Sequence, residues 1–156
     1  MVPAQDRLMF VPDVPESPPI WLVCFAGREV RTPWDRFLTC GFRHAFLLGF
    51  VPGPGVWLLH ETLYDRTNVA VVSSNVADRL LTTAIREGAV LEWRVGPPVP
   101  PRLMLRFGLW CVPAIKHVLG VRCVALTPKG LHDWLLRNGA KPMAVEANEP
   151  VFDQSA

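Results

Sequence analysis

The sequence predicts a single α+β domain in which a central antiparallel sheet is packed by helices, one of them opening on a cysteine. Three observations predict it. Residues 42–50 (FRHAFLLGF) and 56–63 (VWLLHETL) flank Pro52-Gly53-Pro54-Gly55, which is turn chemistry, so they form a hairpin. Both arms are apolar at nearly every position, which implies strands covered on two faces. Residues 68–73 and 89–95 read as strands around a helix at 76–87, where Leu80, Leu81, Ala84 and Ile85 make one apolar stripe before Gly88 stops it. Residues 109–120 place Val112, Ile115, Val118 and Leu119 at helical spacing with Gly120 as C-cap, so Cys111 falls in the first turn.

Composition narrows the function classes. The 156 residues suit one domain with a real core, and half of them are hydrophobic. Sixteen basic and fourteen acidic residues are spread along the chain for a net charge of +2, so nothing calls for a nucleic-acid partner. There is no basic segment followed by a clean apolar run, and no apolar stretch approaches about 18 residues. The expectation is a chain made in a cytoplasm, without signal peptide or membrane span. Cysteines 24, 40, 111 and 123 lie far apart with no C-x-x-C pair, and free thiols are the default in a reducing compartment. Ligand pairs at zinc-finger spacing are missing among these cysteines and His44, His60, His117 and His132, so no metal and no cofactor is expected.

Taken in order, residues 1–19 carry prolines at 3, 12, 15, 18 and 19, cannot propagate a helix or pair as a central strand, and read as an extended arm. The domain proper spans 20–139. Residues 20–25 (IWLVCF) form a strand that Ala26-Gly27 turns back into 28–31, a first hairpin. Thr32-Pro33 opens a short helix through Leu38, and Gly41 ends it. After the central hairpin and the strand–helix–strand unit, residues 96–101 (GPPVPP) are a stiff connector delivering the chain to the Cys111 helix. Residues 122–126 are strand-like. Thr127-Pro128 then opens a last helix with Leu131, Trp134, Leu135 and Leu136 facing inward and Asn138-Gly139 closing it. The polar tail 140–156 is expected to be loose.

The chemistry centres on Cys111. A thiol at a helix N-terminus sits at the positive end of the dipole beside free backbone donors, a nucleophile's position, whereas a free cysteine elsewhere is ordinarily a small buried hydrophobe. Such a nucleophile needs a base, and the base needs a third group to hold its tautomer. His44, at the start of a central strand, is the better base. If the turn closes a regular ladder, His44 lies opposite Leu63 and shares a face with Glu61 and Asp65, while a slip of one residue would substitute His60. Glu61 is therefore the expected third residue, with His60 and Asp65 as alternates. His117 is too far along the helix to serve the thiol, and His132 falls on the outer side of the last helix. Trp110 reads as a core plug, with the wall of a substrate cleft as the alternative, Cys24 and Cys40 as structural, and Arg43 as a strand-end arginine able to bind a carboxylate.

A strand with histidine, a polar residue on the next strand, and then cysteine at a helix N-terminus is similar to a circularly permuted NlpC-type, papain-like cysteine hydrolase. More closely, residues 34–38 (WDRFL) with 41–44 (GFRH), 57–61 (WLLHE), 110–112 (WCV) with 118–120 (VLG), and 126–128 (LTP) with 130–131 (GL) resemble a family of small proteins of tailed phages and prophages. The resemblance implies a small papain-like α+β fold and a virion- or tail-associated product. Its partners would be other virion or tail proteins and the peptide of peptidoglycan. It also implies Cys111 as nucleophile, His44 as base and Glu61 as third residue of an amide hydrolase, or else an inactive structural component that binds its neighbours through the N-terminal arm. Trp110, Val112 and Pro113 depart from the small or polar residues that usually flank the NlpC cysteine.

Overall fold

A computed structural model describes residues 18–27, 37–63, 66–96 and 110–143. Six strands form one antiparallel sheet: β1 (Ile20–Ala26), β2 (His44–Val51), β3 (Val56–Thr62), β4 (Thr67–Val72), β5 (Ala89–Arg94) and β6 (Lys141–Met143), in the order β4-β3-β2-β1-β5-β6. The helices are α1 (Ser74–Glu87), α2 (Cys111–Val118) and α3 (Pro128–Arg137). The α+β class and the central antiparallel sheet are as the sequence predicts.

Strand alternation splits the core in two. Trp21, Val23 and Phe25 of β1 point to one face with Ala45, Leu47 and Leu91, where Val112, Ile115, Leu131 and Leu135 of α2 and α3 cover them. Leu22 and Cys24 point to the other with Phe46, Leu48 and Val90, under the Leu80, Leu81, Ala84 and Ile85 stripe of α1. Covered on both sides, β1 and β2 tolerate almost no polar residue, which explains their unbroken apolar runs. One exception is His44, the first residue of β2, buried at the strand's end. The chain enters that position through a tight junction: Gly41 takes φ 80°, and a Cβ on Gly88 would collide with the carbonyl oxygens of Phe25 and Gly41.

Several expectations are corrected. Residues 121–126 form no strand; Val124 and Leu126 are exposed, and this stretch links α2 to α3, held in part by Lys116 Nζ donating to the Ala125 carbonyl. The tail does not begin loose at Ala140, because Lys141–Met143 pairs with β5 as an edge strand. Leu136 is exposed, since Leu131 and Leu135 already fill the inward face of α3. His132 is not on the outer side: its ring packs edge-on to Phe25 and Phe42, 5.3 and 4.8 Å between centroids, and Nδ1 lies 2.9 Å from Asp133 Oδ1. Cys24 is buried as a structural cysteine would be, but Cys40 is exposed. The arm up to residue 17, strand 28–31, the helix opening at 32–36, the connector 97–101 and the tail beyond 143 lie outside the described residues.

Candidate active site

The β2–β3 hairpin fixes two of the proposed groups. Its register runs from Val51↔Val56 to Phe46↔Glu61, the ladder expected from the Pro-Gly-Pro-Gly turn. His44 stands two residues beyond the last pair on the face of Phe46, against which its ring stacks at 6.3 Å. Glu61 reaches it diagonally, with Oε1 3.0 Å from His44 Nε2. That contact leaves Nδ1 as the nitrogen to face another partner. Cys111, at the start of α2, is the other group that favours the charged form of the ring.

The electrostatics of His44 report the same constellation. Burial alone would push its pKa down, because a desolvated imidazolium is costly. The Cys111 thiol and the Glu61 carboxylate, by hydrogen bond and charge, more than reverse this and hold it up at about 9. The ring is therefore an imidazolium at neutral pH.

Cys111 is the first residue of α2, and packing of Val112 and Ile115 against the sheet sets its place. The N-cap is Trp110, in extended conformation and without a side-chain acceptor for the helix start. Pro113 has no N–H to offer, so the donors of this first turn are those of Cys111 and Val112. The thiol is only 8% exposed, whereas Trp110 beside it is 41% exposed rather than a core plug. The ring lies outside because Val112, not Trp110, points inward from the helix start. A sequence reading misses this, since a tryptophan beside an apolar helix looks like core.

The other candidates separate from this cluster. His60 faces Leu47 in the ladder, on the α2 side of the sheet, and its Nδ1 is buried without a hydrogen-bond partner among the described residues. Burial and the nearby charge of His117 lower its pKa. His117 lies in the last turn of α2, away from the thiol. Asp65 lies outside the described residues. Arg43, half-buried, continues the ladder by donating its backbone N–H to Ala26 O. Among the described residues no group of three or more His, Cys, Asp or Glu is arranged to hold a metal ion, and no helix is long and apolar enough to cross a membrane. A shallow cavity of about 180 Å³ lies elsewhere, between β5, Lys141 and the end of α3 at Asn138 and Gly139.

No protein-family model, no curated protein and no solved structure matches the chain.

Proposed function

We propose that the protein is a cysteine-dependent acyl hydrolase on a permuted papain-like plan, a tail-associated phage product acting on an amide such as that of peptidoglycan peptide. One observation carries the reading: a single buried histidine bonded to a carboxylate on the next strand, with a thiol at the first residue of a helix as the other group that favours its charged form. Cys111 sulfur attacks the carbonyl carbon as thiolate, and the N–H groups of the helix start receive the developing oxyanion. Protonated His44 gives its proton to the leaving amine as the C–N bond breaks. Neutral His44 next takes a proton from water, which attacks the thioester and releases the acid and Cys111. Glu61 holds the ring in the tautomer these transfers require.

The burial of Cys111 favours a second reading, in which the same fold is a structural virion component whose thiol meets no substrate. An activated ester separates the two without a guess at substrate. Incubation with p-nitrophenyl acetate and peptide mapping should find the acetyl group on buried Cys111 ahead of exposed Cys40. Cys111→Ala should remove it, and His44→Ala should slow it by about 10²-fold or more. Modification of Cys40 alone would support the structural reading.

A further inference from the structure

The two edges of the sheet are built differently. At one edge β6 is three residues long and carries Lys141 and Pro142, the charge and the missing donor that protect an edge from pairing. At the other, β4 is six residues, Thr67-Asn-Val-Ala-Val-Val72, with no proline, and no charge occurs between Arg66 and Asp78. Val69 and Val71 are 68% and 66% exposed. No described strand lies on its outer side.

The backbone of that edge has a definite polarity. The Leu63 N–H donates to Arg66 O across the β3–β4 turn, and bonded pairs alternate along an antiparallel ladder. Thr67, Val69 and Val71 therefore turn their N–H and C=O groups outward. Val69 and Val71 are also the residues whose side chains form the exposed apolar row. An antiparallel partner whose outward groups fall at the same alternation satisfies those of Val69 and Val71, and a second β4 is such a partner; the Ser73 carbonyl, which would face Thr67, already accepts from the Val76 and Ala77 N–H groups.

We propose that two copies of this chain pair β4 to β4 about a two-fold axis at Ala70, joining their sheets into one of twelve strands. This register sets Val69 opposite the second copy's Val71, and Val71 opposite its Val69, as hydrogen-bonded pairs on one face. Four exposed valines become one patch. The ends meet no like charge, since Arg66 falls opposite Ser74 of the second copy.

Sedimentation of the full chain from about 1 to about 100 μM tests the pairing. The wild type should pass from monomer to dimer, with outward amides 69 and 71 gaining hydrogen-exchange protection as concentration rises. Val69→Lys with Val71→Lys, which puts like charges opposite each other, should weaken association at least tenfold with the circular dichroism unchanged. Val69→Thr, which keeps strand propensity, should weaken it far less. A wild type monomeric at the top concentration, a dimer that survives both lysines, or concentration-independent exchange at amides 69 and 71 overturns the proposal. The exchange measurement stands even if the lysine variant fails to fold.

Discussion

His44 and His60 sit on the two arms of one hairpin, and the fold drives them in opposite directions. His44 is the more deeply buried, yet its charged form is favoured, because a carboxylate at 3.0 Å and a thiol repay its desolvation. His60 is less buried and its charged form is disfavoured: burial, with His117 nearby, lowers its pKa, and Nδ1 finds no partner among the described residues. What separates the rings is not depth but the company alternation gives them. Even positions such as His44 share a face with Phe46 and Glu61, and His60 shares the other with Leu47 and Leu58. A histidine kept charged in a buried place has opposing charges arranged around it, and that arrangement is what chemistry uses.

The sharpest way to break the comparison is to delete each ring in turn. His44→Ala should slow acylation of Cys111 by about 10²- to 10⁴-fold, whereas His60→Ala should change it less than about twofold. Equal losses, read by stopped-flow release of p-nitrophenolate, would mean that the hairpin and not the His44 contacts governs the thiol.

Stability against pH should separate them by sign. A raised folded pKa means that His44 contributes stabilisation that is complete below about 6.5 and is lost as pH rises through about 9, on the order of a few kcal/mol. A lowered folded pKa means that the His60 contribution is present above about 6.5 and is lost as pH falls from there through its folded value. Urea melts of wild type, His44→Gln and His60→Gln across this range should show the alkaline loss vanish in the first variant and part of the acid loss in the second. An alkaline slope unchanged in His44→Gln would contradict the pairing.

Glu61→Gln sharpens the comparison from the other side. It keeps the shape and the hydrogen bond but removes the charge, so the pKa of His44 should fall from about 9. The alkaline limb of amide cleavage, which needs the imidazolium as acid, should move to lower pH, with a loss of rate on the order of tenfold. An unmoved limb would assign Glu61 to packing alone.

Much of this was legible because the hairpin is governed by local rules. Pro52-Gly-Pro-Gly55 sets the turn, the turn sets the register, and the register puts Glu61 on the face of His44. The Thr127 cap is equally local: its Oγ1 accepts from Gly130 N–H at 3.1 Å, and Pro128 occupies the first turn of α3. Tertiary packing decided the rest. His132 is inward because Phe25 and Phe42 make a slot for its ring, and Trp110 is outward because Val112 already fills the position under α2. Residues 122–126 have strand composition but no described strand beside them to pair with, and β propensity without a neighbour does not make a strand.

The smallest effect tests the idle ring itself. His60 lies opposite Leu47 with a buried Nδ1 that is unpaired among the described residues, and an apolar group of similar size removes that desolvation cost while giving up only the ring's interaction with its own backbone. His60→Leu should therefore raise stability by about 0.5–1 kcal/mol, visible as a rise in Tm of about 1–4 °C. It should also remove the acid-side slope that His60 contributes while leaving Cys111 acylation untouched. A fall in Tm would mean that the imidazole makes an interaction leucine cannot replace, and would return His60 to the candidates for function. The same change at His44 has no such escape: leucine there would take from partly buried Glu61 the imidazolium 3.0 Å away, and should destabilise the fold. Opposite signs for one substitution at two positions of a single hairpin would show that the fold maintains His44 at a cost it does not need to bear at His60.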